Sequence, residues 1–95
     1  MFCINVLLTV NDEEDINEIR GLLAQACQLS RKEPGCLRFE VYHSDSDTSV
    51  FILCERWESE QAWKDHRNEK AFTEIYVPRV LPRVERTPHF STLVE

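Results

Sequence analysis

The chain has 95 residues, close to the usual size of one small domain, which is about 100 to 150 residues. Its composition is 42% hydrophobic and 29% charged with only 2 glycines and 4 prolines, which is typical of a globular protein and excludes collagen-like or disordered chains. Eleven basic against 17 acidic residues give a net charge of −6, and such a surface repels nucleic-acid phosphates. We therefore predict one domain over residues 1–95 and no nucleic-acid partner.

The sequence also argues against membrane and secretory classes. No apolar stretch approaches the roughly 18 to 20 residues that a membrane-spanning helix needs. The N-terminus lacks a basic lead and is followed by an acidic cluster, unlike a signal peptide. The cysteines form no C-x-x-C pair and mostly have apolar neighbours, which favours reduced, buried thiols over disulfides or a zinc cluster. We expect a cytoplasmic protein without a membrane partner.

A strand and a helix are predicted in the first third of the chain. Residues 2–10 are almost continuously apolar, which is typical of a strand covered on both faces. The acidic segment 11–14 then supplies an N-cap and negative charge where a helix begins, and Pro34-Gly35 is predicted to end that helix. The side chains recurring at three- and four-residue steps form one buried face: Ile16, Ile19, Leu22, Leu23, Ala26, Cys27 and Ser30.

An antiparallel hairpin is predicted next. Residues 36–43 alternate, with Leu37, Phe39 and Val41 on one face, and a polar turn joins them to the largely apolar strand 50–57. Ser59 can cap a short helix after the hairpin.

A second short helix is predicted to be interrupted at Pro78, and Phe90–Val94 is predicted as the closing strand. The order β-α-β-β-α-α-β predicts a ferredoxin-like α+β fold, a four-stranded antiparallel sheet with helices on one face. This plan leaves the other sheet face bare. Because the same face of a second copy is the simplest cover, we predict a homodimer in which the last strand can cross to its partner.

Two segments carry a family resemblance. Residues 33–42 contain the run E-P-G-C-L-R-F at the entry to the second strand, and residues 54–62 contain E-R-W at the exit from the third, followed by His66 in the next helix. In this order and chain length they resemble the antibiotic biosynthesis monooxygenase family. The resemblance implies a dimeric α+β barrel in which each subunit encloses a small pocket between its sheet and its helices.

The resemblance does not select one reaction, since the family includes cofactor-independent quinol monooxygenases, polyketide oxygenases, haem-degrading enzymes and a non-oxidative isomerase of a phosphorylated molecule. The haem-degrading branch carries an Asn in the first strand, a Trp in the helix after the third strand and a ligating His in the next helix. The corresponding positions here are Val6, His66 and Tyr76, with Asn5 one residue from the first. We therefore expect neither haem nor another cofactor.

His66 is the candidate general base. A hydroquinone or anthrone that has lost its phenolic proton can itself reduce oxygen, so a base with a pKa near 6.5 meets the main chemical need. His66 shares a helix face with Ala62, which predicts that it points inward. The alternative is a histidine hydrogen-bonded in the core for packing alone.

Glu55 and Tyr76 complete the predicted catalytic set. Glu55 interrupts an apolar strand, and we favour a salt bridge with Arg38 or Arg56 over a role facing His66, where it would orient the ring and raise its basicity. The Tyr76 hydroxyl can donate to a developing oxyanion.

Four aromatic residues are candidates for binding a planar substrate, with ordinary core packing as the alternative, which we favour for Phe72. They are Trp57, Trp63, Phe72 and Phe39. No metal site is predicted, because His43 and His89 lack a nearby carboxylate or cysteine at ligand spacing.

The sequence therefore predicts a cofactor-independent monooxygenase that oxidises a quinol or a similar electron-rich aromatic with O2. One alternative is a non-oxidative isomerase of a small carbonyl or phosphorylated metabolite, in which His66 and Glu55 act in turn as base and acid. Another is a non-catalytic dimer that binds a hydrophobic metabolite.

Overall fold

Four strands and three helices follow one another in the predicted order β-α-β-β-α-α-β in a computed structural model that describes residues 1–95. The strands are β1 (Phe2–Val10), β2 (Cys36–His43), β3 (Val50–Trp57) and β4 (Val84–Ser91). The helices are α1 (Ile16–Ser30), α2 (Glu60–His66) and α3 (Ala71–Val80), with 3₁₀ turns at Glu13–Asp15 and Leu81–Arg83. None of the helices has the length and apolar character needed to span a bilayer.

The strands form one antiparallel sheet in the order β2-β3-β1-β4. Ile4, Val6 and Leu8 of the central strand β1 are fully buried on the face covered by the helices. Burial of alternate residues is the pattern of a sheet with one covered face. The predicted ferredoxin-like α+β fold is confirmed.

Helix α1 has the buried face that its periodicity predicts. Six of the seven predicted positions are buried, and Ile16 is half-buried. The Asp12 carboxylate accepts a hydrogen bond from the Glu14 amide at 3.0 Å, which caps the 3₁₀ turn leading into the helix. The helix ends at Ser30 and not at Pro34-Gly35, so residues 31–35 form a connecting loop.

The prediction that Leu37 shares a face with Phe39 and Val41 is wrong. The pairing of β2 with β3 skips a register step between Cys36 and Arg38, and the Leu37 side chain is 56% exposed. A bulge of this kind inserts one extra residue into a strand and redirects its side chain. Beyond the bulge the predicted alternation holds, since Phe39 is buried.

The predicted interruption of the second short helix at Pro78 is also wrong. Helix α3 continues through Pro78 to Val80 as a π-helix, and the Leu81 amide bonds to the carbonyl of Tyr76, five residues earlier. In an α-helix the proline ring would clash with the carbonyl four residues earlier. The wider π-turn accommodates the ring and brings Ile75 and Tyr76 together on the buried side.

The closing strand begins and ends earlier than predicted, at Val84 and Ser91. Its Pro88 is tolerated because β4 lies at the edge of the sheet, where a missing amide donor costs little. Leu93 and Val94 follow the strand and are exposed.

Candidate active site

A cavity of about 270 Å³ lies between the inner face of the sheet and the helices. Its lining is mainly apolar and comes from all three helices and from β2, β3 and β4; it includes Leu23 of α1, Phe39 of β2, Leu53 of β3 and Phe72 of α3. Exposed residues, among them Arg67 and Phe90, form its mouth. An apolar cavity with a few polar groups is the usual form of a small-molecule site.

His66 lies at the C-terminal end of α2 and lines this cavity. The Ser59 hydroxyl caps the helix by accepting a hydrogen bond from the Ala62 amide at 3.1 Å. The His66 side chain points inward as predicted and is only 7% exposed, and its ring packs on that of Trp57 with 4.7 Å between centroids. Burial lowers the pKa of His66 below its usual 6.5, against the opposing charges of Glu55 and Glu69. The ring is therefore held neutral near pH 7, the state in which it can accept a proton.

The partner of His66 is Glu33, which the sequence analysis did not identify. Glu33 Oε1 lies 2.6 Å from His66 Nδ1, and the Glu33 side chain is 9% exposed. Burial, followed by the negative charge of Glu69, raises the pKa of Glu33 to about 7. Since Nδ1 is occupied by Glu33, Nε2 is the ring nitrogen available to a molecule in the cavity.

Glu55 lines the cavity but does not form the salt bridge that the sequence favoured. Its carboxylate accepts a hydrogen bond from Trp57 Nε1 at 3.1 Å, whereas Arg38 pairs with Glu40 and Arg56 donates to the side chain of Asn5. Burial raises the pKa of Glu55, while the Trp57 donor and the nearby His66 oppose the rise. The strand alternates, so Glu55 points into the core and its neighbour Arg56 points to the other face.

Tyr76 lies in α3 with its hydroxyl in the cavity wall, where it accepts a hydrogen bond from Arg86 Nε at 3.1 Å. Burial raises the pKa of Tyr76, against the positive charge of Arg86. The phenol therefore stays protonated, and its O–H remains available as a donor toward the cavity. Arg86 was not identified from the sequence, because the strand that carries it was predicted to begin only at Phe90.

Three of the four candidate substrate-binding aromatics line the cavity: Phe39, Trp63 and Phe72. The fourth, Trp57, does not line it and is instead completely buried behind His66 and Glu55. Arg67 lies over the rings of both Trp63 and Phe72, at 5.4 and 5.7 Å from their centroids. Such cation–π contacts fix the two rings at the mouth of the cavity.

The fold and the site define a ferredoxin-like α+β domain with an aromatic cavity beside a buried histidine. The sequence model of the family described as "Antibiotic biosynthesis monooxygenase" matches residues 1–76. The chain belongs to this family. The resemblance stated from the sequence is confirmed.

Individual proteins are similar to this chain in sequence or in fold. The chain is 31% identical to the uncharacterised protein YjcS of Bacillus subtilis (strain 168) over 70 residues, which cover 74% of this chain and 67% of that protein. It is similar in fold to a crystal structure of an antibiotic biosynthesis monooxygenase, with a TM-score of 0.85, 21% identity and coverage of 98% and 99% of the two chains. It is also similar in fold to a single-residue mutant of SnoaB, a cofactor-independent oxygenase from Streptomyces nogalater, with a TM-score of 0.84, 12% identity and coverage of 99% and 93%.

Proposed function

We propose that the protein is a cytoplasmic, homodimeric monooxygenase that oxidises a quinol or a similar electron-rich aromatic with O2 and without a cofactor. The observation that carries this proposal is a buried, neutral His66 whose Nε2 is free beside an apolar cavity walled by Phe39 and Phe72. The cavity suits a planar aromatic molecule, and the imidazole suits removal of its phenolic proton.

The reaction begins when His66 Nε2 takes the phenolic proton of the bound hydroquinone. The resulting phenolate transfers one electron to O2, and the semiquinone and superoxide combine to form a carbon–oxygen bond, which gives a ring hydroperoxide. Cleavage of the O–O bond leaves one oxygen atom on the ring and releases the other as water, so hydroquinone and O2 yield hydroxyquinone and H2O. The aromatic substrate supplies all four electrons.

Two further groups are placed to stabilise negative charge in this sequence. The Tyr76 hydroxyl can donate a hydrogen bond to the phenolate or to the peroxide oxygen, and the Arg86 guanidinium bound to it adds positive charge at the same wall. Donors fixed in a site that excludes water stabilise developing charge more than donors in bulk solvent do. Phe39, Trp63 and Phe72 would orient the aromatic ring.

The direct test is oxygen uptake with a panel of hydroquinones and anthrones. We expect the wild-type protein to exceed autoxidation with at least one of them, and His66→Asn to lower the catalysed rate by about 100- to 10,000-fold, the usual contribution of a general base. His43→Asn is the matched control, because His43 lies outside the cavity, stacked on Phe51 and bonded to the Thr48 carbonyl.

Uptake no faster than autoxidation with every compound, or equal rates for His66→Asn and wild type, would contradict the oxygenase. Binding of an aromatic without turnover would instead support the non-catalytic metabolite-binding dimer.

A second candidate, the isomerase of a phosphorylated or carbonyl compound, is favoured by one observation. Arg67 and Arg86 both line the cavity, and neither forms a salt bridge with a carboxylate in a chain of net charge −6. Guanidinium groups that no carboxylate neutralises suit a phosphate. Turnover of such a compound without oxygen uptake, and lost in His66→Asn, would identify this activity.

The dimer that we propose uses the sheet face opposite the helices. Leu7 of β1 and Ile52 of β3 are cross-strand neighbours at its centre and are only partly covered. Beside them, Arg56 donates to Asn5, and Asn5 donates to Ser91, so a polar rim borders the apolar centre. An apolar centre with a polar rim is the usual composition of a protein interface.

We expect Ile52→Glu to convert this dimer into monomers, because a carboxylate would then face its own copy across the two-fold axis. Sedimentation equilibrium of the wild type and the variant measures the change. Gln25→Glu, which adds the same charge at an exposed position of α1, should leave the dimer intact. A wild-type protein that sediments as a single chain would contradict the proposal.

A further inference from the structure

A second cavity, of about 280 Å³, also borders His66 and shares no other lining residue with the aromatic one. Besides His66, the residues that line this second cavity are polar except for Pro34, and most of them are exposed. Three are carboxylates: Glu33, Asp65 and Glu69. His66 is the one residue that lines both cavities, so the imidazole joins a mainly apolar, aromatic site to an acidic cleft lined mostly by exposed residues.

Backbone hydrogen bonds hold Glu33 in a position between His66 and the acidic cleft. Its amide bonds to the Ser30 carbonyl at 3.1 Å, and its carbonyl accepts from the Cys36 amide at 3.2 Å, so the loop after α1 is fixed on both sides of it. Its carboxyl group lies in the cleft and contacts His66 Nδ1 at 2.6 Å. The short distance is that of a strong hydrogen bond in which one partner is charged.

We propose that Glu33 is the positioning residue of His66 and its proton outlet: it holds Nδ1 protonated so that Nε2 faces the substrate, and it exchanges the abstracted proton with solvent through the acidic cleft. This inference rests on the proposed function, since it requires His66 to act as a base. When Nε2 takes the substrate proton, the Nδ1 proton passes to Glu33 Oε1 and from there to water. The same route returns a proton when the second oxygen atom leaves as water.

The charges around the pair match this role. His66 can act as a base only while Glu33 is ionised and accepts from Nδ1–H, because a protonated Glu33 would donate to Nδ1 and leave the proton on Nε2. Burial raises the pKa of Glu33 to about 7, so this ionisation occurs near neutral pH. The other titratable groups that face the pair are Glu55 of β3, Cys36 of β2, and Asp65 and Glu69 beside the cleft.

The variant Glu33→Gln keeps the size of the side chain and an oxygen that can accept from Nδ1, but it cannot carry a proton. We expect kcat to fall by at least about 10- to 100-fold with KM nearly unchanged, the loss that is typical when the hydrogen-bond partner of a metal-ligating histidine is altered. In the wild type the rate should rise with pH through about 7 as Glu33 ionises, and this limb of the pH profile should be absent from the variant. Glu69→Gln is the control, since the Glu69 carboxylate lines the same cleft without a hydrogen bond to the His66 side chain; it should keep this limb of the pH profile, moved to lower pH because the charge of Glu69 raises the pKa of Glu33.

A second measurement needs no substrate. The ¹⁵N chemical shifts of the His66 ring should titrate with the coupled pair near pH 7 in the wild type. The same titration should be present at lower pH in Glu69→Gln, whereas in Glu33→Gln the ring should titrate only at the lower pKa of His66 itself. Unchanged ¹⁵N titration together with wild-type kcat in Glu33→Gln would overturn the proposal. If the wild type consumes no oxygen with any compound, the oxygenase fails, whereas the ¹⁵N titration still decides whether Glu33 controls the proton on His66.

Discussion

Gly35→Ala is expected to lower the free energy of unfolding by about 2 to 5 kcal/mol. Gly35 has a φ of +82°, which costs an alanine about 1 to 2 kcal/mol, and an added Cβ would lie 2.6 Å from the Cβ of Ala62, an overlap that costs about 1 to 3 kcal/mol more. The Gly35 carbonyl also accepts from the Glu58 amide at 2.8 Å, so the loop cannot move away without losing that bond. Urea unfolding followed by circular dichroism measures the loss.

The chain offers a control for this exchange. Gly21 lies on the exposed side of α1, and an alanine Cβ at this position would have no neighbouring atom within 4 Å, so Gly21→Ala should raise the free energy of unfolding by about 0.5 to 1 kcal/mol. Combining Gly35→Ala with Ala62→Gly should recover the steric part of the loss. If Gly35→Ala unfolds at the same urea concentration as the wild type, the close approach of this loop to α2 is wrong.

Trp57→Phe is the second substitution for which we expect a large effect on stability. It removes the indole N–H that donates to the buried Glu55 carboxylate, and an unsatisfied buried acceptor costs about 1 to 3 kcal/mol. Burial raises the pKa of Glu55 above its unfolded value of 4.5, so the stabilising contribution of this group is complete below pH 4.5 and is lost as the pH rises through the folded pKa. The donor lowers that pKa, and its removal raises the pKa further. The loss of unfolding free energy in Trp57→Phe, relative to the wild type, should therefore be smallest near pH 4.5 and should grow toward pH 8.

Urea unfolding of wild type and variant at a series of pH values measures this difference. In a Glu55→Gln background the increase with pH should vanish, because the group no longer ionises. Trp63→Phe is the control, since Trp63 is only half-buried and its indole N–H makes no hydrogen bond within the chain. A deficit of the same size at pH 5 and pH 8 would show that the Trp57 donor does not act on the charged form of Glu55.

Most of the fold could be predicted because it depends on local patterns. The apolar period of α1 and the alternation of β3 are carried by consecutive residues, and the structure confirms both. The errors fall where a neighbouring element decides the outcome. Pro78 continues a helix because a π-turn accommodates it, and Pro88 lies within a strand because that strand is at an edge. Neither the π-turn nor the edge position of the strand can be predicted from one segment of the sequence alone.

The candidate site was predicted less completely for the same reason. The periodicity of α2 was enough to predict that His66 points inward. Its partner Glu33 is distant in sequence, and only the packing of the loop at Gly35 against Ala62 brings the two together. Arg86 could have been found from the correct limits of β4, since it lies opposite the inward-facing Leu8 of β1. The Glu55 salt bridge was wrong because the alternation of β3 places Arg56 on the other face.

The proline in β4 also limits how copies of this chain can assemble. An edge strand that contains proline is a poor template for a further strand, and at the opposite border of the sheet the bulge at Leu37 breaks the regular spacing of β2. Lateral addition of strands, the route to fibrils and open-ended polymers, is therefore disfavoured at both borders. The dimer proposed above avoids both borders, because association through the broad faces closes after two copies.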